Sequence, residues 1–289
     1  MRTNLVKLNK KRKKIKWKKW VWSRILDIYE EEMKRGKTHE YTAVNFTYND
    51  QKLTLIDTPG HGTYVREMIY GISQGVNIAV LLVSMANNEF ESSFERGMTK
   101  EHLILARALN IKHLIILANK MDLIDWDRKI YNERMEKVYK FLKQIRWNND
   151  YIQIIPISAY QGINLTDTIG TPEWYTGKSF LETVSDIETP SITEESSILS
   201  ESNRLIVEML VLELKAGVIG PGFKCVCHMD DFEFEVELVG IRNKKYIKQG
   251  ESGIVILQLS NTISCTVGKR IIFRTNNYTL GFGKIIKLK

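Results

Sequence analysis

The sequence predicts an α/β domain, a mostly parallel sheet with helices on both faces, followed by a small all-β barrel. Three observations carry that prediction. Residues 77–84 and 113–118 are apolar nearly throughout, as strands buried on both faces are. They alternate with amphipathic stretches, the order that builds a parallel sheet with crossover helices. Beyond residue 203 the helical periodicity stops, and short strand-like runs follow between Gly, Pro and Asn turns.

The totals bound the answer. A chain of 289 residues, 43% hydrophobic and 26% charged, has the make-up of one or two soluble globular domains. No apolar stretch approaches the roughly 18 residues of a membrane-crossing helix. The N-terminus is basic with no apolar core behind it, so no secretory signal is expected. The cysteines are Cys225, Cys227 and Cys265, an odd number without a Cys-x-x-Cys spacing. That pattern points to a reducing, cytoplasmic compartment and away from a zinc site, with His228 read as an ordinary strand residue. The net charge of +8 is local: residues 1–24 hold eleven Lys and Arg and no acid, leaving 31 basic against 34 acidic residues in the rest.

The elements follow in order. Residues 25–40 begin helix-like and break at Gly36; residues 41–48 read as a strand, with an Asn49-Asp50 turn into a second strand from Lys52. Residues 64–74 read as a helix, 77–84 as a strand, 100–109 as an amphipathic helix and 113–118 as a strand. A long charged helix over 126–146, a strand over 152–157 and a short helix over 179–187 close the domain. The expected divisions are a basic tail at 1–24, an α/β domain at 25–187, an acidic Ser/Thr-rich linker at 188–203 and a barrel at 204–289. Within the last, strands are expected over 205–214, 232–238, 253–259, 270–274 and 283–288. The segment Phe232-Glu-Phe-Glu-Val-Glu-Leu238 alternates apolar and acidic residues, a strand with one dry and one wet face.

Chemistry concentrates at two strand ends, where ligands sit in open α/β sheets. Asp57-Thr58-Pro59-Gly60-His61 follows one apolar strand and Asn119-Lys120-Met121-Asp122 another. The Asp122 carboxylate can accept two hydrogen bonds from guanine N1 and its exocyclic amine; adenine leaves it unpaired, which penalises the wrong purine. Asn119 braces the loop and the Lys120 stem lies along the purine. Ser158 and Ala159 end the next strand, offering a backbone N–H to the guanine carbonyl and a hydroxyl to Asp122. At the other end Asp57 holds Mg²⁺ through water, the Gly60 N–H meets a terminal phosphate and His61 orients the attacking water.

These residues resemble a translation factor GTPase. Asp57-Thr-Pro-Gly-His61 is similar to that family's signature, and Tyr64–Gln74 to its second-switch helix. Glu89-Phe90-Glu91, Phe94-Glu95-x-Gly97 and Thr99-Lys-Glu-His102 resemble the eukaryotic branch: elongation factor one-alpha, the release-factor GTPase and the ribosome-rescue GTPase. Pro172-Glu-Trp174-Tyr175-x-Gly177 is similar to a segment of the last two, and residues 204–289 more faintly resemble the family's final β-barrel. The resemblance implies a P-loop-NTPase-type G domain that binds GTP or GDP with Mg²⁺. It puts Thr38, in Arg35-Gly36-Lys37-Thr38, at the Mg²⁺-binding switch position. It also implies the ribosome, and a release- or rescue-type factor, as partners.

Two family parts are missing. No Gly-x-x-x-x-Gly-Lys-[Ser/Thr] phosphate loop is present: Gly36-Lys37-Thr38 has Glu31 at the first glycine position, and Gly177-Lys178-Ser179 has Pro172 there. Such a loop supplies several backbone N–H groups and a lysine to the phosphates. The strand leading to it is also missing, so the expectation is either a reading frame that begins upstream or a degenerated domain. The middle β-barrel is the second absence, with the linker in its place. Two readings therefore stand: a GTP-hydrolysing factor, or a hydrolysis-deficient ribosome- or factor-binding protein that keeps the G-domain scaffold. In the tail, nine of the thirteen residues from Lys7 to Lys19 are basic and Trp17, Trp20 and Trp22 lie among or near them. That suits RNA contact and equally suits a solvated segment.

Overall fold

A computed structural model describes residues 42–60, 65–73, 75–188, 199–215, 217–230, 232–275 and 278–289. The basic tail, Thr38, His61 and most of the linker lie outside the described residues. Strands β1 (Thr42–Tyr48) and β2 (Gln51–Asp57) form an antiparallel hairpin that pairs Tyr48 with Gln51. The turn between them is Asn49-Asp50, with φ of 45° and 61°. Positive φ at both central residues matches the right-handed strand twist, and Asn and Asp tolerate it better than most side chains.

Helix α1 (Val65–Ser73) leads to β3 (Ile78–Ser84), α2 (Thr99–Ala108) and β4 (His113–Asn119). Helix α3 (Arg128–Gln144), β5 (Ile152–Pro156) and α4 (Phe180–Asp186) complete this half. The three strands make one parallel sheet in the order β3-β4-β5, with Ile78 opposite His113 and Leu114 opposite Ile152. β4 is central, and its residues from Leu114 to Ala118 are all buried. Asp127 starts α3 by accepting from the N–H groups of Lys129 (2.7 Å) and Ile130 (3.1 Å), and Ser179 with Glu182 forms a capping box on α4. A π-helical turn over Glu91–Glu95, which no apolar period announced, stacks Phe94 on Phe90 at 5.3 Å.

Among the described residues the hairpin and the parallel sheet are separate sheets, with no strand between β2 and β3. The edge of β3 shows the consequence. Leu82, in the middle of an apolar run, is 57% exposed, although such a run is built for burial on both faces.

The second half contains β6 (Ser200–Val211), β7 (Val218–Ile219), β8 (Lys224–Met229), β9 (Phe232–Ile241), β10 (Ile247–Lys248), β11 (Ser252–Cys265), β12 (Arg270–Arg274) and β13 (Thr279–Leu288). Six of them close a barrel in the order β11-β6-β13-β12-β8-β9. β9 keeps the expected alternation from Glu233 on, with Val236 and Leu238 buried in the barrel and Glu233 and Glu235 exposed, but Phe232, expected on the dry face, is 63% exposed. β6 takes in residues 200–203, which composition assigned to the linker, because they pair with the far end of the long β11 (Ser200 opposite Cys265). β8 holds Cys225, Cys227 and His228; His228 is a strand residue, as expected, in a strand whose bounds no sequence pattern marks. The barrel closes tightly at Gly281, where a methyl group would stand 2.0 Å from the Leu210 carbonyl oxygen.

The two halves meet along α1 and α2. Val65, Met68, Ile69, Leu105 and Ala108 pack with Ile272 of β12. Arg270 donates to the Ala108 carbonyl (3.3 Å) and to Asn110 (2.8 Å), the favourable placement of a cation at a helix C-terminus. Arg146 donates to the Gly250 carbonyl at 3.0 Å. No described helix is long and apolar enough to cross a membrane.

Candidate nucleotide site

The parallel strands end together, and the loops that leave them converge. After β5 the chain crosses back, so that the Ile157 N–H donates to Ala118 (2.8 Å) and Met121 donates to the Ile157 carbonyl (3.2 Å). Asn119, at the tip of β4, uses one side-chain oxygen twice: it accepts from the Lys120 N–H at 2.7 Å and from the Ala159 N–H at 3.0 Å. Lys120 is left-handed, with φ of 66°, and this turns the chain sharply into a short 3₁₀ segment, Met121–Ile124. Met121 is fully buried and anchors that segment.

Asp122 is half-buried beside it, and its Oδ1 accepts from the Ser158 hydroxyl at 2.6 Å. Among the described residues its second oxygen has no partner. This is an acceptor oriented by its neighbour and left to meet a donor. Trp174 supports the same loop, since its indole N–H donates to the Trp126 carbonyl at 3.1 Å and its ring packs on Tyr131 at 5.2 Å. The sequence reading assigned Trp174 to a family segment without a role; its support of the base-side loop is apparent only in the fold.

Two groups of this loop already have partners. The Ala159 N–H donates to Asn119. The Lys120 ammonium pairs with Glu89 at 2.5 Å, which bears on its head and not on the stem expected along a purine, and Glu89 also accepts from the Ser84 hydroxyl at 2.9 Å. Glu89 is thus a third carboxylate at the strand ends, between β3 and β4, that the sequence reading left without a chemical part.

The other motif leaves β2 at Asp57. Thr58 is half-buried, Pro59 buried and Gly60 exposed. Among the described residues a methyl on Gly60 would meet only the His102 ring, at 3.9 Å from Cε1, an ordinary contact. Packing among them therefore does not demand glycine there. His102 lies in the first turn of α2, so Gly60 stands beside the start of that helix. Burial holds the His102 imidazole below its ordinary pKa, against opposing pulls from Glu101 and the Gly60 carbonyl. His61 and Thr38 lie outside the described residues, and no cluster of metal-ligating side chains occurs among the described ones.

Residues 2–213 match the family described as the elongation factor Tu GTP binding domain. Elongation factor 1-alpha of Pyrobaculum aerophilum is 36% identical over 179 residues, 62% of this chain and 40% of that protein. The eukaryotic peptide chain release factor GTP-binding subunit of Schizosaccharomyces pombe is 38% identical over 183 residues, 61% of this chain and 28% of that protein. The chain thus spans less than half the length of the curated relatives it matches. In fold it is similar to the Ski7 GTPase-like domain of S. cerevisiae solved with GTP: TM-score 0.74, 17% identity, 90% of this chain and 85% of that one. The bacterial selenocysteine-specific elongation factor EF-Sec follows at TM-score 0.62 and 18% identity, covering 91% of this chain and 54% of that one.

Proposed function

This chain belongs to the translation factor GTPase family, matched through its elongation factor Tu GTP-binding domain, and on that premise we propose that it binds GTP and GDP as an elongation-, release- or rescue-type factor. The observation that carries the reading is the Asp122 carboxylate, held by Ser158 with one oxygen left to accept, on a loop braced by Asn119. Guanine presents two adjacent donors to such an acceptor and adenine does not. At the other end, Gly60 gives its N–H to the terminal phosphate and His61 orients the attacking water, so hydrolysis rests on positioning. Asp57 and Thr38 are the residues that would hold Mg²⁺, which when bound neutralises charge on the phosphates. The partners are the ribosome and a release- or rescue-type factor, met in the cytoplasm, with RNA touched through residues 7–19.

A second reading has its own observation. The 289 residues contain no phosphate-loop motif, so the grip on phosphate is weaker than the grip on base. On that reading the protein keeps the G-domain surface for a ribosome or factor without turnover.

Titration of the full chain with fluorescent GTP, GDP and ATP separates the two. Preference for guanine nucleotides, with turnover abolished by His61→Ala, supports hydrolysis. Guanine-nucleotide affinity weaker than about 1 mM retires the enzyme and leaves the scaffold, which ribosome co-sedimentation then tests. Deleting residues 1–20 without loss of co-sedimentation removes the RNA contact.

A further inference from the structure

Two adjacent residues in the first turn of α2 touch two distant parts of the molecule. Glu101 is held by the barrel: its Oε1 accepts from Arg274 (2.6 Å), from the Thr279 hydroxyl (2.6 Å) and from the Thr279 N–H (3.0 Å). All three residues are buried, and such a charge pair is expensive to leave half-made, so the turn stays where the barrel puts it. His102, the next residue, lies against Gly60. Its Nε2 is buried and has no hydrogen-bond partner, although the Gly60 carbonyl acts on the ring. Buried polar atoms are ordinarily paired, so an unpaired one beside Gly60 asks for an explanation.

We infer that the first turn of α2 ties the Gly60 loop to the C-terminal barrel, with His102 as the residue that positions Gly60 and Glu101 as the residue that positions the turn. The functional consequence rests on the reading of Gly60 as the phosphate-side residue. In the arrangement described, Nε2 is unpaired. A hydrogen bond from the imidazole to the Gly60 carbonyl would make the difference between a loop held to the turn and a free one. The turn carries the difference to the barrel because residues 101 and 102 are consecutive in one helix. Leu105 and Ala108 of that helix also pack on Ile272 of the barrel. Coupling of this kind is reciprocal, so a change in the barrel grip must be felt at Gly60.

The test reads that reciprocity in the full chain without nucleotide. Thr279→Val removes one hydroxyl from Glu101 and keeps the backbone donor. It is expected to raise amide hydrogen exchange at Asp57, Thr58 and Gly60 about threefold or more. Val236→Ala, on the opposite part of the barrel, is the control and is expected to leave those amides unchanged while lowering the barrel's own protection. At the other end, His102→Leu is expected to loosen Gly60 and His102→Gln, which retains a donor near Nε2, to preserve it. Unchanged exchange in a folded Thr279→Val protein, or equal changes in Thr279→Val and Val236→Ala, overturns the link. A second measurement is the ratio of GTP to GDP affinity, expected to shift about tenfold in His102→Leu and to hold in His102→Gln. If the unaltered chain binds no guanine nucleotide, the reading of Gly60 fails, while the exchange experiment still decides whether the link exists.

Discussion

The Ser158 hydroxyl donates to Asp122 Oδ1 at 2.6 Å, joining residues 36 positions apart in the chain. That bond joins the loops after β4 and β5, and among the described residues it leaves the second carboxylate oxygen without a partner. The proposed base recognition rests on this acceptor, held by a neighbouring hydroxyl.

Asp122→Asn is therefore expected to lower guanine-nucleotide affinity about 100-fold, the loss of one or two hydrogen bonds to a charged acceptor. The amide donates where the carboxylate accepted, so a xanthine nucleotide, which carries a carbonyl at that edge, should bind the variant better than the guanine one. Ser158→Ala is milder, about tenfold weaker binding without the switch. Competition titrations with the two nucleotides read both.

Gly60→Ala and Gly281→Ala test the proposal that Gly60 is kept for a ligand, against Gly281, which packing keeps. At Gly60 an added methyl makes one ordinary contact, with His102, so the unfolding midpoint should stay within the equivalent of about 0.5 kcal/mol. Binding of a triphosphate should weaken. At Gly281 the methyl would lie 2.0 Å from the Leu210 carbonyl, and the β6–β13 pairing must part. Urea unfolding should show a barrel destabilised by more than about 3 kcal/mol, in the range of the largest core substitutions.

Arg274→Met removes one partner of a pair whose side chains are 9% and 8% exposed. It leaves Glu101 charged and buried, at a cost of about 3–5 kcal/mol. Pairing it with Glu101→Leu should recover most of that loss, because two apolar side chains need no solvation. A double-mutant cycle by urea denaturation measures the recovery.

His228 is buried, and burial is the first cause holding its pKa below the ordinary histidine value; Glu233 pulls it up, and Arg274 and Arg66 push it down. In the unfolded chain the imidazole titrates near 6.5. Below that pH the unfolded state binds a proton that the folded state refuses, so stability falls as pH drops from about 6.5 toward the depressed folded value. Above 6.5 the term vanishes. His228→Gln should flatten the stability curve in that window, as read by denaturation midpoints at pH 7, 6 and 5.

Much of the fold was legible in the chain. β4 stands out because a central strand is apolar on both faces, and the Asn49-Asp50 turn because both residues tolerate positive φ. The two motifs stood out because each follows such a strand. Three things did not show. The bounds of β8 around His228 are one, since the strand mixes Cys, His and Lys without clean alternation. Residues 200–203 are polar by composition, yet pair with a strand 60 positions further on. Glu89 looked like one acid of a family segment, and only the folded loop brings it to Lys120.

By itself the sequence determined the order of elements, the strand ends that bear chemistry and the family, because apolar periodicity and short motifs are local properties of the chain. Tertiary structure alone decided which atoms meet: Ser158 with Asp122, Glu89 with Lys120, Arg274 with Glu101, and His102 with Gly60. The last two pairs join residues separated by 173 and 42 positions, respectively. Contacts at such distances depend on how α2 packs against the barrel and on where β2 ends, and no local pattern encodes either.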